Sequence, residues 1–190
     1  KNITRREIIH SEVLFSPGAG GEFFSFLIEA HKSDHWQRLP LCCFDWQYYT
    51  YNNLHSDVRT RQIRCIHRIS YSKLRPVVFL KAPTDYLIDI RKKKASRLNH
   101  LRDKQWLEDN IEDDRLAEDF SDVTISHLDL LKNYYKMCDL LEMEPDIRWY
   151  AWAWWNYLGL QDIMLKKKYK YIAQVRRDLK ECFGDFNGSS

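Results

Sequence analysis

Ile8-Ile9-His10-Ser11-Glu12-Val13-Leu14-Phe15, followed by Ser16-Pro17-Gly18-Ala19-Gly20-Gly21 and then by Glu22 to Ala30, is the stretch whose reading decides the fold. The first segment is rich in β-formers, the second is a glycine turn, and the third has the apolar character of a buried helix. Strand, glycine turn and helix in that order announce an α/β domain. A turn of this kind aims several backbone N–H groups, and the positive end of the helix dipole, at one point.

Working outward, Arg64 to Ile69 has a short strand pattern. Pro76 then opens Val77-Val78-Phe79-Leu80, an apolar run typical of a strand buried on both faces. After Ala82-Pro83-Thr84-Asp85 the pattern turns helical, with Tyr86, Leu87 and Ile90 on one side and a basic run, Arg91 to Lys94, after them. Glu108 to Asp122 is strongly acidic and reads as solvated helix and loop, and Val123 to His127 is another strand candidate. Asn133 to Met143 is helical, Pro145 breaks it, and Trp149 to Lys168 forms a long helix. His31 to Leu54 has no clean periodicity. Strands alternating with helices imply right-handed crossovers and a central, mostly parallel sheet in three layers.

Composition sets the outer limits. With 190 residues, 44% hydrophobic and 30% charged, the chain closes one domain over 1–190 and is no disordered tail. A formal charge of +3 is too small for coating nucleic acid, so no nucleic-acid partner is expected. Five Cys without CxxC spacing suggest reduced thiols and no structural zinc. With no apolar run near the roughly 20 residues of a membrane span, and with Lys1 to Glu7 lacking the apolar core of a signal peptide, a soluble cytoplasmic protein without a membrane partner is expected.

The glycine turn suits an anion, but it lacks the Gly-Lys-Ser/Thr ending of a nucleotide triphosphatase. Glu22 and Phe23 stand where the phosphate-binding Lys and magnesium-binding hydroxyl would be. ATP or GTP hydrolysis is therefore disfavoured. The plain alternative is a tight turn that binds nothing.

Taken with three later segments in chain order, the turn resembles the 5′-phosphosulfate loop of the sulfotransferase family. The matching stretch is Leu14 to Phe24, and it departs from the family in lacking the usual Lys and paired hydroxyls. Arg64-Cys65-Ile66-His67-Arg68-Ile69-Ser70-Tyr71 resembles the strand whose His is the catalytic base. Pro76 to Asp89 resembles the 3′-phosphate signature, with Lys81 at the family's Arg and Asp89 at its Ser. Lys keeps the charge but loses the two-pronged guanidinium. Asp89 would repel a phosphate unless it turns away, a basic neighbour compensates, or the donor site has changed. Val123 to Leu131 with its following helix is a softer match. Near the C-terminus, Lys180, Gly184 and Asp185 coincide with the segment that closes over the 3′-phosphate.

The resemblance implies a P-loop-like nucleotide-binding fold. It implies transfer of a sulfuryl group from 3′-phosphoadenosine 5′-phosphosulfate to a hydroxyl or amine acceptor, with no metal. His67 would be the base. The donor would be held by Pro17, Gly18, Ala19, Gly20, Gly21, Glu22, Phe23, Lys81, Asp89 and Lys180. Arg68, Lys32 and the run Arg91 to Lys94 are candidates for the missing loop charge; the plain reading of that run is a solvated helix face. So short a chain leaves little to enclose an acceptor, which would be large or completed by a second subunit in a homodimer. Two other readings stay open: a noncatalytic nucleotide- or phosphate-binding module on the same fold, and a nucleotide or nucleoside kinase. Trp149, Trp152 and Trp155, with Tyr150, Trp154 and Tyr157 among them, make a helix aromatic on nearly every side, so it packs against the sheet or walls an acceptor.

Overall fold

The computed structural model describes residues 10–16, 18–32, 63–66, 69, 73–97 and 114–186. Four short strands, β1 (Ser11–Phe15), β2 (Ile63–Ile66), β3 (Val77–Lys81) and β4 (Val123–Ser126), form one all-parallel sheet in the order β2-β1-β3-β4. Leu14 stands between Ile66 and Phe79, and Phe79 pairs on with Thr124. All five β1 residues are buried, as are four of the five in β3. Both strands lie inside the sheet with covered faces, which is why they read as continuous apolar runs rather than as alternation.

The helices described are α1 (Gly21–Lys32), α2 (Thr84–Arg97), α3 (Asp114–Phe120), α4 (Tyr134–Leu141), α5 (Ile147–Leu165) and α6 (Lys170–Phe183). The two-residue period of the strands divides the core. Val13, Phe15, Val78, Leu80 and Ile125 face the larger cluster, to which α1, α2, α4, α5 and α6 contribute. Leu14, Val77 and Phe79 face the other way, onto Ala117 and Phe120 of α3. Helices thus cover both sheet faces, an α/β arrangement compatible with three layers.

Most elements fall where the periodicity puts them, and three readings need correction. The acidic stretch is not wholly solvated: Ala117 is fully buried, because α3 is the cover of one sheet face. The basic run is not a purely solvated face either, since Arg91 is buried while Lys92 is exposed. The long aromatic helix ends at Leu165, where Lys166 turns left-handed at φ 53°, and α6, unforeseen in the sequence, follows. Its buried Ile172, Val175 and Leu179 are spaced three and four residues apart, as one helix face requires.

Asp146 caps α5, its carboxylate accepting from Trp149 N–H at 3.0 Å. Trp154 and Tyr157 are buried and Trp152 and Trp155 are half-buried, so this helix packs into the core. No described helix is long and apolar enough to cross a membrane.

Candidate functional site at the first sheet-to-helix corner

Strand order reverses at β1: the chain passes from β1 through α1 to β2 on one side, then returns to β3 on the other. In open α/β sheets, ligands bind in the crevice beyond the carboxyl ends of strands at such a reversal. The glycine turn leaves β1 at that place. Ala19 N–H donates to Ser16 C=O at 3.0 Å, closing a four-residue turn, and Gly18 has a φ of 104° at its third position, where a type II turn requires positive φ. The first bond of α1 is Phe24 N–H to Gly20 C=O at 2.9 Å, so the amides preceding it have no acceptor within the helix.

Gly18, Ala19, Gly20 and Gly21 are all buried. A Cβ on Gly18 would lie 3.0 Å from Ile90 of α2, one on Gly20 would collide with the Tyr157 hydroxyl of α5, and one on Gly21 with the Phe15 ring. Phe23 stacks flat on Tyr157, with centroids 4.1 Å apart and planes 5° from parallel, and meets Trp154 edge-on at 5.2 Å. Glu22 points to solvent. In this conformation the corner is closed by the aromatic face of α5, and close packing alone accounts for its glycines.

The remaining sequence-derived candidates are scattered around the corner. Lys81 has the strand parity of Val77 and Phe79, so it leaves the sheet on the α3 side, away from α1. Its ammonium donates to Glu118 at 2.8 Å and lies 3.5 Å from Asp114; the Glu118 hydrogen bond, with the Asp114 charge, holds its pKa above the usual lysine value. Asp89 is met by a basic neighbour that the sequence did not single out. Lys167 Nζ and Tyr169 Oη each donate to it at 2.5 Å, and those bonds, Lys167 first, hold its carboxyl below the ordinary range. Lys180 pairs with Asp185 at 2.6 Å where Gly184 N–H caps α6, about 15 Å along the helix from its first residue at ~1.5 Å per residue. His67, Arg68 and Pro17 lie outside the described residues, as do the side chains of Lys32, Lys93 and Lys94.

The structure adds a polar cluster missed in the sequence. His127 follows β4 and is fully buried; its Nε2 lies 2.9 Å from Ala19 C=O. A carbonyl can only accept, so Nε2 carries the proton, and burial lowers the imidazole pKa to about 4, leaving Nδ1 a bare lone pair at neutral pH. Tyr86 of α2, Trp154 of α5 and Tyr171 of α6 stand around it with their rings 5.2–6.4 Å from the imidazole, and Tyr157 of α5 joins them edge-on to Trp154.

Five buried polar atoms of these five residues have no hydrogen-bond partner: the three phenol oxygens, His127 Nδ1 and Trp154 Nε1; elsewhere on α5 both Gln161 amide atoms are buried without one. The Tyr86 and Tyr157 hydroxyls lie close enough to shift one another's ionisation without reaching hydrogen-bond geometry, and burial above all raises the pKa of all three phenols. An unpaired buried donor or acceptor costs about 1–3 kcal/mol, so the cluster is primed to accept a polar guest, water or ligand. The available sequence signal was the spacing of Trp154 and Tyr157, three residues apart on one helix face. Among the described residues no group of three or more His, Cys, Asp or Glu is arranged to hold a metal ion. Neither a family model, a curated protein nor a solved structure matches this chain.

Proposed function

We propose that this chain is a divergent sulfotransferase-like protein whose function is binding, without turnover, of an adenosine 3′,5′-bisphosphate type of nucleotide at the first sheet-to-helix corner. The observation that carries this reading is the placement of the glycine turn. It leaves β1 beside β3 where the strand order reverses, with Gly18 and Gly20 at φ 104° and 82° and the first-turn amides of α1 turned toward the carboxyl end of the sheet. Binding is favoured over catalysis by the state of the charges. Lys81 is neutralised by Asp114 and Glu118, Asp89 engages Lys167, and the corner carries Glu22 where a lysine would balance a leaving phosphate. Because α5 closes the corner, the nucleotide enters only when that helix yields.

Isothermal titration with adenosine 3′,5′-bisphosphate tests the reading directly. Heat with a Kd below about 100 μM supports it, and no heat at high micromolar ligand removes it. Magnesium-dependent ATP heat in place of bisphosphate heat would move the protein to the kinase reading.

A second reading, sulfuryl transfer from 3′-phosphoadenosine 5′-phosphosulfate, is favoured by the chain order of the four matching segments. In it His67 takes the acceptor hydroxyl or amine proton, an effect typically worth about 10²–10⁴ in rate, and the corner amides stabilise charge growing on the leaving phosphate. Turnover that His67→Ala abolishes while donor affinity persists would establish it; turnover retained in that variant would remove His67 from the mechanism.

A further inference from the structure

Tyr157 is 1% exposed, its hydroxyl has no hydrogen-bond partner, and it rests against Gly20 at the N-terminus of the twelve-residue helix α1. That is where helix amides favour an anionic oxygen. The partnerless hydroxyls of Tyr86 and Tyr171 and the Trp154 indole N–H belong to the same cluster. We propose that these groups line a closed oxyanion site, with Tyr157 Oη occupying the position of a ligand oxygen, so that the aromatic face of α5 is a built-in plug. This rests on the nucleotide reading and goes beyond it, naming the residues that close the site and those that receive the ligand once it opens.

The ligand is a tetrahedral oxyanion, carried on a nucleotide or free as sulfate. When Tyr157 withdraws, Tyr86, Tyr171 and Trp154 donate to it, replacing in kind, though not in charge, the lysine that the turn lacks. His127 fixes the turn from below through Ala19 C=O. The carboxylates whose charge reaches the cluster are Glu22 and Asp85, both exposed, and Asp162, half-buried, whose Oδ1 accepts from Tyr169 N–H at 3.4 Å. Lys166 and Lys168 on the turn that carries Tyr169, and Lys170 at the start of α6, stand exposed and offset those charges for an approaching anion, while Lys167 is held by Asp89. The fraction of molecules with Tyr157 withdrawn divides the intrinsic affinity. Removing the plug therefore tightens binding, the reverse of what loss of an ordinary contact residue does.

The test compares the full chain with Tyr157→Ala and Tyr157→Phe. Hydrogen exchange of the segment 18–24 is measured without ligand, and binding of adenosine 3′,5′-bisphosphate and of inorganic sulfate is measured by calorimetry. A minor open state populated at ~10% or less gives at least about tenfold tighter bisphosphate binding in Tyr157→Ala, with faster exchange of the segment. Tyr157→Phe, which keeps the ring on Phe23, shifts both in the same direction by less, and it decides the matter if Tyr157→Ala loses its helical circular dichroism. Tightening seen equally with sulfate assigns the site to the free ion; tightening confined to the bisphosphate assigns it to the nucleotide.

Unchanged exchange in the deciding variant overturns the plug whatever the ligand does. Binding by the unsubstituted chain that weakens or stays equal in the variants overturns the plug but keeps the nucleotide reading. Faster exchange with no heat from either probe in any of the proteins overturns the nucleotide reading and the oxyanion assignment, leaving Tyr157 as packing only.

Discussion

Gly20 and Gly184 share a backbone demand and differ in everything around it. Their φ values are 82° and 78°, in the left-handed half of conformational space that favours glycine. A Cβ on Gly20 meets the Tyr157 hydroxyl and ring, whereas one on Gly184 meets nothing within 4 Å. The first glycine sits between two helices in the main core; the second ends a helix in solvent, beside the exposed Lys180–Asp185 pair. A positive φ therefore says little about a site. What surrounds the residue decides whether it is a corner on which the fold depends or only a helix cap.

Gly20→Val sharpens the contrast most. Strain at positive φ adds to overpacking against a buried aromatic stack, and a loss of about 3–5 kcal/mol in denaturant unfolding is expected. A loss under about 1 kcal/mol would mean that Tyr157 moves aside freely. For the same reason Gly20→Val is a poor probe of phosphate approach.

The next effect is pH-dependent and belongs to the corner alone. The His127 pKa is about 4 in the fold and ~6.5 when unfolded, so between those values the unfolded chain binds the extra proton. Stability is complete above pH ~6.5 and falls as pH drops toward 4, by about 3 kcal/mol in total. His127→Gln should flatten that segment of a stability profile; an unchanged slope would show that another group carries it. The Asp89 contact with Lys167 and Tyr169 acts lower. Its folded pKa is depressed, so its contribution is present above the ordinary carboxylate value of ~3.9 and lost below it.

Gly184→Ala should cost about 1–3 kcal/mol, because φ 78° with ψ −164° is a region open essentially to glycine alone, strain without collision. A loss as large as that of Gly20→Val would break the comparison. The smallest effect is expected from Lys81→Ala. Its partners Asp114 and Glu118 are 34% and 42% exposed, and a solvated pair of this kind contributes ~0.5 kcal/mol or less to stability. Bisphosphate affinity in that variant is the more telling measurement: unchanged binding would place Lys81 outside the nucleotide site, as its position on the α3 face suggests.

Much of this architecture is legible in the order of residues alone. Apolar runs at Val13-Leu14-Phe15 and Val77 to Leu80, the Pro-Gly turn between Phe15 and Glu22, and the break at Pro145 each act through local physics: buried strand, positive φ, missing amide proton. The candidate site was legible only in its backbone. Lys81 and Asp89 looked like one phosphate site because they flank one strand-to-helix step. Strand alternation sends Lys81 to the far face, and a turn nearly 80 residues away brings Lys167 to Asp89. The polar cluster was illegible for the same reason. Tyr86, His127, Tyr157 and Tyr171 are unremarkable one by one, and they acquire chemistry only by meeting.

By itself, then, the sequence determined that strands and helices alternate here and that a glycine turn ends the first strand, because periodicity and backbone sterics act over a few residues. Tertiary structure alone decided that this turn is roofed by α5, that Lys81 and Lys167 are paired with carboxylates, and that five polar atoms of one aromatic cluster are buried without partners. Burial and charge pairing are properties of neighbours in space, and distance along the chain does not encode them.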